Sequence, residues 1–173
     1  MFYTSRARYA VVMFIGHLPA GYVLTTFLQK PLRTRRFLFI GLVASVLPDA
    51  DIFYFYLFDN QNHLHHGYWT HTPFYWALMA VVAFAILWIS RRRVYLAGAV
   101  IFFSNVFLHL CLDTIVGKVE WLYPLTEKSF YLFAVPATHD WWVYNFLFHW
   151  TFLFEIVAVI WAIAVFFLRR KKA

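Results

Sequence analysis

The chain has 173 residues, of which 63% are hydrophobic, 23% are aromatic and only 13% carry a charge. Soluble domains carry charge on about 25% of their residues, so this composition excludes an ordinary water-facing surface. The net charge of +7 is explained by cations that flank membrane spans, and we therefore expect no binding to nucleic acid. The composition predicts an integral membrane protein.

Five apolar runs are candidates for membrane-spanning helices, each of which needs about 20 apolar residues. They cover residues 9–28, 37–58, 73–90, 94–117 and 142–168. The first run is interrupted by two glycines, His17 and Pro19, so it is predicted to be either a bent span or a re-entrant pair of half-helices. The predicted fold is an all-α, multi-pass transmembrane helical bundle of four to five spans. It forms a single membrane-embedded domain over residues 1–173.

The lysines and arginines predict the orientation of this bundle. They concentrate between and after the runs, at residues 30–36, 91–93 and 169–172. If the second to fifth runs all cross the membrane, these groups share one side, which the positive-inside rule assigns to the cytoplasm. The C-terminus is then cytoplasmic. Arg6 and Arg8 fall on the opposite side if the first run crosses, and on the cytoplasmic side if it re-enters.

Ionisable side chains inside apolar runs are costly and commonly mark functional sites. Three sets of polar residues lie toward the extracytoplasmic ends of their runs under this orientation. They are Asp49 with Asp51, the histidines of residues 63–71, and His109 with Asp113. Since these sets reach the same depth from separate parts of the chain, the sequence predicts that they meet in one site.

The spacing within these sets supports a shared site. His109 and Asp113 are four residues apart, so a helix stacks them on one face. Pro48 lacks an amide donor and clashes with the preceding turn, so we predict a kink there that lets Asp49 and Asp51 both face inward. The Thr-Pro pair at residues 72–73 predicts an N-cap and the start of a helix, just after the histidine-rich loop.

Imidazole together with carboxylate indicates zinc or a comparable divalent ion, because magnesium and calcium prefer oxygen ligands alone. The candidate metal ligands are His17, Asp49, Asp51, His66, His71, His109 and Asp113. Seven ligands are more than one tetrahedral ion needs, so they could hold two zinc ions. Some of the seven could instead orient the histidines around a single ion. One or two zinc ions are therefore predicted. His63 and His65 are interpreted as exposed loop residues.

Each candidate also has an interpretation without a metal. The pair of His109 and Asp113 could be a structural hydrogen bond, the aspartates after Pro48 could cap a broken helix, and His17 could be a polar residue at a kink. His149, near the outer end of the last run, is a further candidate for contact with metal or substrate.

The motifs, in this order, resemble those of the YdjM-like family of bacterial inner-membrane proteins. The matching stretches are Gly16-His17, Pro48-Asp49-Ala50-Asp51, His66-Gly67-Tyr68-Trp69-Thr70-His71-Thr72, His109-Leu110-Cys111-Leu112-Asp113, and Gly117-Lys118-Val119 leading to Tyr123-Pro124. The resemblance covers roughly residues 16 to 133. Two positions depart from the family pattern. Gly67 stands where the family has an arginine that could hold a phosphate or carboxylate, and Thr72 stands where it has a serine.

The resemblance implies a metal-dependent hydrolase in the bacterial inner membrane. A more remote similarity to zinc-dependent phospholipases C and P1-type nucleases implies cleavage of a phosphoester. A site near the outer headgroup layer suggests a membrane lipid or a lipid-linked substrate, with Asp49 or Asp51 activating the attacking water. Two other hypotheses stay open: a metal transporter or sensor, and a membrane protein that a non-catalytic ion stabilises.

Overall fold

The computed structural model describes residues 15–59, 67–139 and 141–171. Within these ranges the chain forms seven α-helices and no β-strand beyond an isolated bridge between Val119 and Phe130. The helices are α1 (His17–Gln29), α2 (Leu38–Ala44), α3 (Asp51–Leu57), α4 (Pro73–Ile89), α5 (Leu96–Asp113), α6 (Trp142–Leu147) and α7 (Phe152–Arg170). The predicted all-α class is confirmed for the described residues, while the single domain over residues 1–173 stays a prediction.

Three prolines lie at the starts of helical elements. Pro73 is the first residue of α4 and Thr72 is its N-cap, as predicted, although the Thr72 hydroxyl donates to the Tyr68 carbonyl instead of capping the helix. Pro48 begins a 3-10 turn between α2 and α3, and Pro19 lies in the first turn of α1. First-turn amides have no acceptor within the helix, so proline removes no helical hydrogen bond at these positions.

The second apolar run is broken at Pro48, which confirms the predicted kink. The helix α2 ends at Ala44, and the following segment, Pro48–Leu57, meets it at an angle of 54°. This segment comprises the 3-10 turn Pro48–Ala50 and then α3. The pair is either one broken span or a re-entrant loop.

Two segments are long and apolar enough to cross a membrane, namely Arg93–Asp113, which contains α5, and α7. The bent pair of α2 and α3 would be a third. Two further helices are shorter: α4 has 17 residues and α1 has 13. The described chain before α1 begins at Ile15. In the most apolar stretch of α7, with a mean hydropathy of 2.3, only 11% is buried in the protein, so the rest is an exposed apolar surface of the kind that lipid covers.

The prediction of one continuous helix over residues 142–168 is wrong. The helix α6 ends at Leu147 and α7 begins at Phe152. Between them, Nδ1 of His149 lies 2.8 Å from the hydroxyl of Thr151, and the amide of Phe152 donates to the His149 carbonyl at 3.0 Å. Local bonds of this kind compete with the regular helical pattern, which apolar composition alone does not reveal.

The helix α5 lies at the centre of the bundle. It packs against α1, α2 and α4, and α1 also packs against α2 and α7. The buried apolar residues between α2, α4 and α5 are Ala44, Trp76, Val106 and Leu110. At position 41 of α2 only glycine fits, because a Cβ atom there would overlap the side chain of Thr25 in α1. This close approach packs α1 directly against α2.

The bundle has two chemically different ends. The helices α1 and α7 run in the same direction, since Ile15 donates its amide to Glu155 at the start of α7, and Arg169 at its end donates to the Thr26 hydroxyl at 2.9 Å. The cations of residues 30–36, 91–93 and 169–171 lie at one end, which we call the basic end. The predicted ligands that the structure describes lie at the opposite end, which we call the His/Asp end; they are His17, Asp49, Asp51, His71, His109 and Asp113.

Candidate metal centre

Five of the seven predicted ligands come together at the His/Asp end. His17 is the first residue of α1, Asp49 lies in the 3-10 turn after α2, and His71 lies in a 3-10 turn just before α4. His109 and Asp113 occupy the last two turns of α5 and face the same way, as their spacing predicts. Four separate segments of the chain therefore build one polar cluster.

The Nε2 atoms of His71 and His109 form the centre of this cluster and lie 3.5 Å apart. Oδ1 of Asp49 lies 3.5 Å from the first nitrogen and 3.6 Å from the second. Oδ2 of Asp113 lies 3.5 Å and 3.0 Å from the same two atoms. Adjacent ligands of a tetrahedral zinc, bonded at about 2.0–2.2 Å, are about 3.3 Å apart. Each carboxylate oxygen thus completes a triangle of the size that an ion requires.

Two three-residue groups have ligand atoms that all lie within 4.8 Å of one another. One is Asp49, His71 and His109, and the other is His17, His109 and Asp113. Nε2 of His17 is 3.1 Å from Oδ1 of Asp113, and its ring stacks on that of His109 at 4.0 Å. The side chain is fully buried, and apart from this contact with Asp113 its other ring nitrogen, Nδ1, has no hydrogen-bond partner within the described part of the chain. Buried imidazole nitrogens normally have a partner, so a bound cation fits this position.

A backbone carbonyl orients His109. Its Nδ1 lies 2.8 Å from the carbonyl oxygen of Ser45, which can only accept a hydrogen bond, so Nδ1 carries the proton. The lone pair of Nε2 then points at the carboxylates. Both groups include His109, and one imidazole lone pair binds one ion. The two groups are therefore overlapping positions in a single centre.

Asp51 supports His71 from the side opposite the centre. Its Oδ2 lies 2.8 Å from Nδ1 of His71, and the hydroxyl of Thr70 donates to the same oxygen. Nδ1 therefore donates to Asp51, and Nε2 faces the other ligands. Asp51 belongs to neither three-residue group. Of the two roles that the sequence left open for this aspartate, the geometry favours orienting a histidine over binding the ion.

The carboxylates favour a positive charge at His71. Burial opposes the charged ring, but hydrogen bonds to Asp49 and Asp51 and the nearby Asp113 outweigh it and raise the pKa of His71 to about 10.

The side chains of His71, His109 and Asp113 are 0% exposed, whereas that of Asp49 is 13% exposed. Asp49 therefore lies where the cluster meets its surroundings.

Two predicted contributors are not part of this cluster as described. His66, like His63 and His65, lies outside the described residues, so its role as a ligand stays a prediction. His149 belongs to neither group, and its Nδ1 lies 2.8 Å from the Thr151 hydroxyl.

Sequence analysis did not assign three other neighbours to the cluster. The Ser45 carbonyl leaves no signal in the sequence, and the Thr70 hydroxyl is one of many. Glu155 did leave a signal, as a buried acid in an apolar run, but its contact with Ile15 spans 140 residues and could not be inferred.

The fold and the cluster define a helical membrane protein with His/Asp groups that could hold a metal ion. The chain belongs to the YdjM inner membrane protein family, whose model matches residues 12–172. This match confirms the resemblance that the motifs indicated, and with the apolar helices it identifies an inner membrane protein. Comparisons with curated proteins and with solved structures found no significant match, so the remote similarity to phospholipases C and P1-type nucleases is not shown.

Proposed function

We propose that the protein is a zinc-dependent hydrolase of the inner membrane that cleaves a phosphoester in a lipid or lipid-linked substrate. The observation that carries this proposal is the pair of triangles around the His71 and His109 nitrogens, with sides of 3.0 to 3.6 Å. Hydrogen bonds to Ser45 and Asp51 hold both rings with Nε2 turned inward. Such preorientation is typical of metal centres.

The residues of the cluster have different proposed roles. His71, His109 and Asp113 hold an ion, His17 offers a second position beside Asp113, and Asp51 is a positioning residue that acts through His71. A bound divalent ion supplies a Lewis acid and lowers the pKa of water. Asp49 has the most exposed of these side chains, and it accepts the proton of the attacking water.

The proposed topology directs this centre toward the membrane surface. Four to five spans, with the basic end in the cytoplasm, place the C-terminus inside and the cluster near the extracytoplasmic headgroups. The two ends of the bundle support this arrangement, because α5 begins beside the arginines of residues 91–93 and ends at Asp113. Lipid phosphoesters lie at the depth of such a centre.

Turnover of defined phosphoesters tests the proposal. The full-length protein in lipid nanodiscs is incubated with phosphomonoester and phosphodiester lipids and with p-nitrophenyl phosphate, after chelation and again after zinc is restored. We expect hydrolysis that requires the metal, is abolished by His109→Ala and falls about 10²–10⁴-fold in Asp49→Asn. His139→Ala, in an exposed loop, is the matched control and keeps full activity. Hydrolysis that persists without metal contradicts the proposal.

A second candidate, metal transport, is favoured by one observation. Buried polar side chains continue from the centre toward the basic end, where Asn105, one turn from His109, donates to the Thr25 hydroxyl at 2.9 Å, and Gln29 donates to the Thr25 carbonyl at 3.3 Å. None of the three is ionisable, which makes this a poor path for a divalent ion. Zinc entry into proteoliposomes that Asn105→Leu blocks would support transport, and the absence of entry rejects it.

A further inference from the structure

A cavity of about 870 Å³ opens at the basic end, far from the His/Asp end. It lies between the last turns of α1 and α7 and the chain segment that leads to α2. The described lining residues include five cations and no acid; the cations are Lys30, Arg33, Arg35, Arg169 and Arg170. The positive-inside rule explains why cations occur at this end, but it does not explain why they surround a cavity.

Arg169 is held in place across this cavity. Its guanidinium donates to the hydroxyl of Thr26, a residue that is 3% exposed and lies on the neighbouring helix α1. An arginine fixed in this way has already lost much of its side-chain freedom, so binding an anion costs less entropy than at a mobile surface arginine. Guanidinium groups bind phosphate through paired hydrogen bonds.

Gln29 lines the same cavity. Its side chain is 4% exposed and its amide nitrogen donates to the Thr25 carbonyl, while its carbonyl oxygen has no donor within the described part of the chain. Since this oxygen is fully buried, Gln29 belongs to the inner wall of the cavity and is not a contact for the headgroup.

The remaining wall of the cavity is apolar. Leu38 and Phe166 line it, and Phe166 lies in the last turn but one of α7, the helix that most needs lipid cover. Apolar side chains beside a phosphate site suit a ligand with acyl chains. We infer that this cavity binds an anionic glycerophospholipid, such as phosphatidylglycerol.

The test measures retained lipid on the full-length protein in detergent by native mass spectrometry, with phosphatidylglycerol, phosphatidylcholine or inorganic phosphate added. We expect selective retention of phosphatidylglycerol and about tenfold weaker retention in Arg169→Gln, because a charge-assisted bond is lost. Thr26→Val keeps every cation but releases Arg169, and it weakens retention to a smaller extent. Arg92→Gln removes the same charge from the basic end outside the cavity and is the matched control.

Three results would overturn the inference. Equal losses in Arg169→Gln and Arg92→Gln, with none in Thr26→Val, would indicate diffuse attraction to a basic surface. Equal retention of the two lipids would show that the headgroup is not recognised. Displacement of phosphatidylglycerol by equimolar inorganic phosphate would show that the ligand is a soluble anion.

Discussion

At the His/Asp end, buried side chains come from positions as distant as 17 and 113, whereas at the basic end the cations lie in three short runs of the chain. The first arrangement places His17, His71, His109 and Asp113 out of contact with solvent. The second leaves most of its lysines and arginines exposed. Buried ionisable groups are costly unless they compensate one another or bind an ion, while exposed cations need no such explanation.

This contrast separates residues that orient the protein in the membrane from residues that form a binding site. Cations at one end of a bundle suffice to orient it in a membrane, so their number alone is no argument for a ligand. Histidines held by Ser45 and Asp51 have no comparable role in topology. A specific ligand is therefore best supported at the His/Asp end, and at the basic end only where Arg169 is fixed beside a cavity.

The largest effect is expected for His109→Ala, because His109 belongs to both three-residue groups. Loss of a residue that only orients a ligand weakens metal binding by about 10–100-fold. Loss of the ligand that both groups share should therefore weaken zinc binding by more than about 100-fold. Competition with a chromophoric chelator measures the zinc affinity. His149→Ala is the matched control, and a similar loss there would mean that the centre is assembled differently.

The second effect is expected for Asp51→Asn. The amide oxygen still accepts a hydrogen bond from Nδ1 of His71, but the negative charge is lost, so zinc affinity should fall by about 10–100-fold. The same chelator competition measures it. An affinity as low as that of His109→Ala would make Asp51 a direct ligand and would contradict its role in orienting His71.

A third, smaller effect concerns the packing of α1 against α2. Gly41→Ala forces a methyl group against Thr25, and overpacking of this kind costs about 1–3 kcal/mol in the free energy of unfolding. In Gly98→Ala the new methyl meets the Phe37 ring at 3.2 Å, and that ring can move. Thermal unfolding in detergent should therefore show the larger loss for Gly41→Ala, and the reverse order would refute the close approach of α1 and α2.

The smallest effect is expected on the zinc affinity of the His/Asp end when a residue of the basic end is substituted. The 13-residue helix α1 separates the two ends by about 20 Å, and such distant sites are usually independent. Arg169→Gln should therefore leave the zinc affinity unchanged within about twofold. A larger change would show that the basic end and the centre are coupled.

The sequence predicted those features that depend on short-range rules. The spacing of His109 and Asp113, the break at Pro48 and the start of α4 at Pro73 all follow from local geometry, and each is present. The break between α6 and α7 was missed, because hydropathy does not report the contact between His149 and Thr151.

The orientation of each histidine could not be predicted, because it depends on contacts over long stretches of chain. The Ser45 carbonyl lies 64 residues from His109 and has no side-chain signature. The contacts of Asp49 and Asp51 likewise depend on where His71 lies, because Asp49 approaches its Nε2 and Asp51 its Nδ1, and both aspartates looked equivalent in the sequence. Sequence patterns thus indicated which residues meet but not what each of them does.

X-ray absorption spectroscopy at the zinc edge tests the central claim most directly, on the full-length protein loaded with zinc and then desalted. The account predicts a bound ion with two or three imidazole nitrogens at about 2.0–2.1 Å, carboxylate oxygens and no sulfur. The imidazole signal should disappear in His109→Ala. Zinc lost on desalting, a shell of oxygen alone, or a thiolate sulfur at about 2.3 Å, for which Cys111 is the one cysteine in the chain, would contradict it.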